Sequence, residues 1–172
     1  MLGTMAGGAA DCSVLIRMLR SEAMRFELEE GYRISTARVS QLLARILYKN
    51  RGAGLSVGTM IVGYDDLPPS LSSDPQIYYV DDSGTRLKGN LFSAGSGSTF
   101  ALAILDTEYR HEMTEAEAIS LGIKAIRYAT LRDAYSGGFI NVYVVTSDGW
   151  KKVFTEDVAV VAPAGNETLV EN

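Results

Sequence analysis

The seven residues Arg132-Asp133-Ala134-Tyr135-Ser136-Gly137-Gly138 decide how this chain is read, because they join its strongest helical pattern to its strongest strand pattern. Upstream, the stretch 114–131 opens on Thr114-Glu115-Ala116-Glu117, a capping-box spacing in which the cap hydroxyl and the glutamate three residues on satisfy each other's backbone amides. Ala118, Leu121, Ala125, Ile126 and Ala129 then fall on one side, and the small residues among them permit close packing. Downstream, 139–146 and 150–154 are apolar and β-branched and flank Ser147-Asp148-Gly149, a hairpin signature. A glycine-rich turn with one carboxylate and one hydroxyl between two such elements holds polar groups at a fixed geometry. From composition alone, Asp133 and Ser136 read as an ordinary loop hydrogen bond.

Working outward, a polar, glycine-rich turn also precedes the previous helix. Gly95-Ser96-Gly97-Ser98 leads into a short helix expected over 99–110, with Ser96 or Ser98 as its cap. No lysine follows those glycines, so the turn lacks the pattern of a phosphate-cradling loop. Before it, Ile77-Tyr78-Tyr79-Val80, the turn Asp81-Asp82-Ser83-Gly84 and the start of a return strand at 85–87 form another hairpin. A strand is expected over 55–64, where Gly58 and Gly63 suggest close approach of backbone, and 65–76 reads as a polar surface loop.

The first third is helical after a short opening strand at 1–6. Gly7-Gly8 ends that strand, and a helix follows over 9–30 with Val14, Leu15, Met18, Leu19 and Phe26 on its expected apolar face and Gly31 as a left-handed cap. A second helix, capped by Ser35 or Thr36, carries Val39, Leu42, Leu43, Ile46 and Leu47 at the spacing of a buried stripe. Helix pairs and runs of strands in this order do not alternate as in a doubly wound sheet. The economical packing is an α+β arrangement of two sheets, each covered by a helix pair.

Composition narrows the function. With 47% hydrophobic residues, the 172-residue chain can bury one substantial core. Sixteen basic against twenty-one acidic residues, and no dense basic cluster, argue against nucleic acid. One histidine, His111, and one cysteine, Cys12, cannot supply a metal-ligand set, and His111 in Arg110-His111-Glu112 reads as a surface residue. Cys12 reads as a core thiol. The acidic pairs Glu29-Glu30, Asp65-Asp66 and Asp81-Asp82 read as solvated helix ends or turns. No run is long enough to span a bilayer and no secretory signal opens the chain, so a soluble intracellular protein is expected. Pattern alone leaves the nucleophile unidentified.

Three stretches together carry a likeness: 3–12 (Gly-Thr-Met-Ala-Gly-Gly-Ala-Ala-Asp-Cys), 52–61 (Gly-Ala-Gly-Leu-Ser-Val-Gly-Thr-Met-Ile) and 132–138. In this order they resemble a eukaryotic proteasome beta subunit of the chymotrypsin-like catalytic type, and the resemblance continues through Gly95-Ser96-Gly97 to the hairpin around Asp148-Gly149-Trp150. It implies a threonine-type endopeptidase in a single domain, 1–172, with the four-layer α/β/β/α sandwich of N-terminal nucleophile hydrolases. In that family the hydroxyl of an N-terminal threonine attacks the peptide carbonyl, its own amine helps move the proton and a lysine tunes the pair. The segment bearing that threonine and lysine precedes the part matched here. The resemblance therefore implies an N-terminally truncated subunit that lacks its first strands and is inactive alone, with a non-catalytic, structural proteasome-like subunit as the alternative.

Residue by residue, Gly7 matches the glycine whose amide lines the oxyanion hole. Asp133 and Ser136 match the carboxylate and hydroxyl that support the threonine, and Ser96 matches a serine hydrogen-bonded near its amine. Met5, Ala9 and Cys12 match the pocket for the side chain before the cut bond. No cofactor is expected. The resemblance further implies other alpha and beta subunits in stacked heptameric rings as partners, unfolded polypeptides as substrates, and a cytoplasmic and nuclear location.

Overall fold

A computed structural model of the protein describes residues 1–65 and 75–159. These fall into two compact units, the first comprising 1–95 and 144–151 and the second 96–143 together with the segment from 152 onward. Among the described residues no helix is long and apolar enough to cross a membrane.

The first unit is a helix pair on an antiparallel sheet. The opening segment forms β1 (Leu2–Gly3) and β2 (Ala6–Gly7), both paired with β3 (Val57–Tyr64). The expected single strand is interrupted at Thr4 and Met5, yet Leu2 opposite Val62 and Gly7 opposite Val57 keep one register throughout. The cause is a side chain: the Met60 amide donates 3.1 Å to Thr4 Oγ1, while the Thr4 amide donates 2.9 Å to the Met60 carbonyl. A hydroxyl thus shares in the ladder. β4 (Pro75–Asp81) pairs with β3, and β5 (Arg86–Lys88) with β4 to form the edge.

Helix α1 (Ala9–Glu30) ends at Gly31 with φ 78°, as expected, but buries a different face from the expected one. Cys12, Leu15, Leu19 and Phe26 are buried, whereas Val14 and Met18 are exposed. The four buried positions lie at i, i+3, i+7 and i+14, a cleaner helical stripe than the adjacent pairs that the hydrophobic residues suggested. Helix α2 (Thr36–Lys49) starts at Ser35, whose hydroxyl accepts from the Arg38 amide, and buries Val39, Leu43 and Leu47. Together with Ile61 and Val80 these side chains make one core.

Asp65 corrects the reading of the Asp65-Asp66 pair as a solvated turn. Its carboxylate is buried and accepts from the Thr36 amide at 2.9 and 3.0 Å and from the Thr36 hydroxyl at 2.5 Å. Thr36 needs a bare backbone beside it: a Cβ on Gly63 would lie 2.0 Å from Thr36 Oγ1. The expected loop over 65–76 falls mostly outside the described residues.

The second unit contains α3 (Ser98–Glu108), α4 (Glu115–Arg132) and most of a hairpin of β6 (Phe139–Thr146) and β7 (Gly149–Asp157), which forms the second sheet. The Thr114–Glu117 capping box is present in both directions. Helix α4 buries Leu121, Ala125 and Ala129, while Ala118 and Ile126, expected inside, are exposed. Ala125 and Ala129 pack with Ala101 of α3, and Ile104 and Leu105 border that seam. The possible strand or partner-binding arm at the end of the chain lies largely outside the described residues.

Candidate active site

At the C-terminus of α4 the chain turns so that Asp133 becomes the acceptor of a small network. The Asp133 amide still donates to the Ala129 carbonyl at 2.8 Å, which ties the carboxylate to the last helical turn. Oδ2 accepts from the Ser136 hydroxyl at 2.6 Å and from the Ser96 hydroxyl at 2.5 Å, and Oδ1 accepts from the Tyr135 amide at 3.2 Å. Ser96 comes from thirty-seven residues earlier in the chain, from the turn before α3. Neither Ser96 nor Ser98 caps that helix; Gly97 stands at the cap position and makes no side-chain hydrogen bond there.

Gly97 is the residue that sequence reading passed over. A Cβ there would lie 2.8 Å from Ser136 Oγ, 3.0 Å from the Ala129 Cβ and 3.2 Å from Asp133 Oδ2. The glycine lets the turn press against α4, and the alanine seam below it lets the helices approach. A Gly between two serines was the available signal, but its meaning depends on what stands opposite.

The hydrogen bonds from Ser136 and then Ser96 hold the Asp133 carboxyl below its usual range, assisted by the Tyr135 amide and against some desolvation. Asp133 is therefore a carboxylate at neutral pH. A serine hydroxyl has one proton, and both protons here are directed to Oδ2. The outward-facing capacity of Ser96 and Ser136 is then their lone pairs, which suit a donor such as a protonated amine or a hydroxyl.

The other site residues expected from the resemblance belong to the first unit. Gly7 has φ 106°, a region that L side chains rarely adopt, and a Cβ there would lie 2.1 Å from the Ser56 carbonyl oxygen. Glycine is required at that position on both counts. The adjacent Gly8 amide donates 2.8 Å to the same Ser56 carbonyl, fixing the entry into α1. Met5 and Ala9 are exposed, so packing in this core does not account for them. Cys12 is 1% exposed, and its thiol contacts the Ala6 carbonyl at 3.7 Å. Burial, and to a lesser degree the neighbouring Asp11, push that thiol above its usual range and make it a poor nucleophile. His111 is exposed, and among the described residues no three His, Cys, Asp or Glu side chains form a group that could hold a metal.

Among the described residues, two sheets and four helices match the general α/β/β/α architecture of N-terminal nucleophile hydrolases, and the hydroxyl-flanked carboxylate lies between α4 and β6. Residues 1–145 match the family model described as "Proteasome subunit", and the chain belongs to that family. Among curated relatives, it is 52% identical to "Proteasome subunit beta type-5" of Dictyostelium discoideum over 91% of this chain and 56% of that protein. It is 53% identical to the beta type-5 subunit of Spinacia oleracea over 92% of this chain and 56% of the relative. With "Proteasome subunit beta type-8" of Homo sapiens it shares 48% identity over 92% of this chain and 55% of the relative. The chain thus spans little more than half the length of these relatives.

Proposed function

We propose that this chain forms the supporting part of a threonine-type endopeptidase subunit that cuts after large hydrophobic residues. The observation that carries this reading is Asp133, held ionised by two serine hydroxyls whose lone pairs remain available to an incoming donor. An N-terminal threonine offers such donors through the N–H bonds of its free amine and through its hydroxyl. Held there, the threonine oxygen attacks the peptide carbonyl and its proton passes by way of the amine to the departing peptide nitrogen, leaving an ester that water hydrolyses. In this reading the Gly7 amide faces the developing oxyanion, where a fixed donor is worth most.

Met5 and Ala9 wall the pocket for the residue before the cut bond, and the buried Cys12 stands deeper, behind that wall. Burying a large apolar side chain there contributes roughly 1.5–3 kcal/mol, enough to set a preference. Rings of other alpha and beta subunits as partners, unfolded polypeptides as substrates, and a cytoplasmic and nuclear location belong to the same proposal. It is supported by the similarity to beta type-5 and type-8 subunits.

The test is made on the protein from its full reading frame, assembled with its ring partners. Fluorogenic peptides ending in a tyrosine or leucine should be cleaved faster than those ending in glutamate or arginine, and intact mass should reveal acylation on a threonine. An assembled particle in which this subunit acquires no acyl group would instead establish a structural role.

A further inference from the structure

We infer, resting on the reading of the Asp133 cluster as the support of an attacking threonine, that Tyr79 is a positioning residue for that cluster: its ring anchors the segment that delivers Ser96. Side chains alternate along β4, and Val80 joins the core under α1 and α2, so Tyr79 stands on the opposite face of the first sheet. That face receives the segment 89–95, which leads from β5 to the turn before α3. The Phe92 ring stacks on Tyr79 with centres 5.9 Å apart and planes 25° apart. Two residues on, Ala94 meets the sheet at Gly58: a Cβ there would lie 3.6 Å from the Ala94 Cβ and 3.5 Å from the Tyr79 hydroxyl. Gly95 then passes Ala6, whose Cβ would be 3.5 Å from one on Gly95.

Little else holds this segment. The Gly89 amide donates 3.2 Å to the Ile77 carbonyl, and beyond it no residue from 90 to 95 makes a hydrogen bond among the described residues. Its place therefore rests on packing, and the stacked ring pair adds a preferred geometry to simple burial. The backbone leaves room for that contact: a Cβ on Gly89 would lie 2.7 Å from Phe92 Cζ and 3.1 Å from Cε2. At the far end Gly95 has φ 104°, a region that L side chains rarely adopt, and turns the chain. One peptide bond later comes Ser96, whose hydroxyl donates to Asp133 Oδ2 at 2.5 Å. A shift of the segment by about an ångström is enough to break that bond, since side-chain hydrogen bonds are lost beyond about 3.5 Å. The Tyr79 hydroxyl makes no hydrogen bond among the described residues, and burial, then Asp81 and Asp82, push it above its usual range, so the ring rather than the proton does the holding.

The experiment reads the Asp133 carboxyl-carbon titration by NMR in the full chain. Tyr79→Leu removes the stack and should raise the midpoint toward the unperturbed aspartate value, by as much as Ser96→Ala does, whereas Tyr79→Phe keeps the ring and should leave it in place. Gly89→Ala crowds Phe92 without touching Tyr79 and should move the midpoint in the same direction. Leu47→Ala weakens the core of the same unit elsewhere and should not move it, which separates positioning from stability. In the full-length, assembled protein Tyr79→Leu should lower kcat for a hydrophobic fluorogenic peptide about tenfold with KM within about twofold, and Tyr79→Phe should restore it. An unmoved midpoint in both Tyr79→Leu and Gly89→Ala, or an equal shift in Leu47→Ala, would overturn the inference. A shifted midpoint together with a particle that acquires no acyl group would uphold the anchoring of Ser96 by Tyr79 and remove only the threonine reading.

Discussion

The two helix pairs of this protein are packed with different materials. In the first unit, Leu15, Leu19, Leu43, Leu47, Ile61 and Val80 fill the space between helices and sheet. In the second, the α3–α4 seam is lined by Ala101, Ala125 and Ala129. Large side chains remove much apolar area from water and so supply stability. Alanines remove little, but they let backbones approach, and that approach lets Ser96 meet Asp133 across a glycine. Large apolar side chains fill one seam, and small ones bring backbones together at the other.

The sharpest way to break this contrast is a large-to-small change at Leu47, which has no exposed surface. Leu47→Ala should cost about 2–5 kcal/mol in urea unfolding, and a loss under about 1 kcal/mol would mean that the first unit is not held by its core. The converse change, Ala129→Leu, should cost about 1–3 kcal/mol by overpacking the seam. It should also raise the Asp133 titration midpoint, because the added bulk moves Ser96 away. If stability falls while that midpoint stays put, the seam does not position the cluster.

Thr36→Val tests a buried polar contact of the first unit. The Asp65 carboxylate keeps the Thr36 amide but loses its hydroxyl donor. A cost of about 1–3 kcal/mol is expected for leaving a buried acceptor short of a partner, and no measurable change would mean that water replaces the hydroxyl.

The smallest effect is a pH effect at Asp133. Its folded-state value is depressed, so the stability its bonds contribute is present above the ordinary carboxylate range and is lost as pH falls through the depressed value. Carboxyl-carbon NMR should place the midpoint below about 3.9, the unperturbed aspartate value. Ser136→Ala should move it up further than Ser96→Ala, and an unmoved midpoint in both would show that the hydroxyls do not hold the charge.

Much of this was legible in the sequence, and unevenly so. Long periodic elements read well: the capping box at Thr114, the Ser35 cap of α2, the Gly31 terminus of α1 and the last hairpin stand as their residues dictate. Which face of a helix is buried read less well, because Val14, Met18 and Ile126 are as apolar as their buried neighbours and the choice is made by what packs opposite. Asp65 looked like half of a solvated pair because its partner lies twenty-nine residues away. The site followed the same rule. Asp133 with Ser136 is a local contact that spacing suggests, whereas Ser96 with Asp133 needs the tertiary fold, and in the sequence only the family resemblance pointed to it.

The most direct test of the account is the turnover of a hydrophobic fluorogenic peptide by the full-length, assembled protein carrying Asp133→Asn, with Ser120→Ala, exposed on α4 thirteen residues before Asp133, as the comparison. An amide is neutral and has one acceptor oxygen where the carboxylate has two, so its NH2 faces either the Tyr135 amide or the two serine hydroxyls, the threonine would be misplaced and kcat should fall about 10²-fold with little change in KM. Unchanged kcat in a particle shown by mass to contain the variant subunit would contradict the assignment of this cluster to the support of the attacking residue.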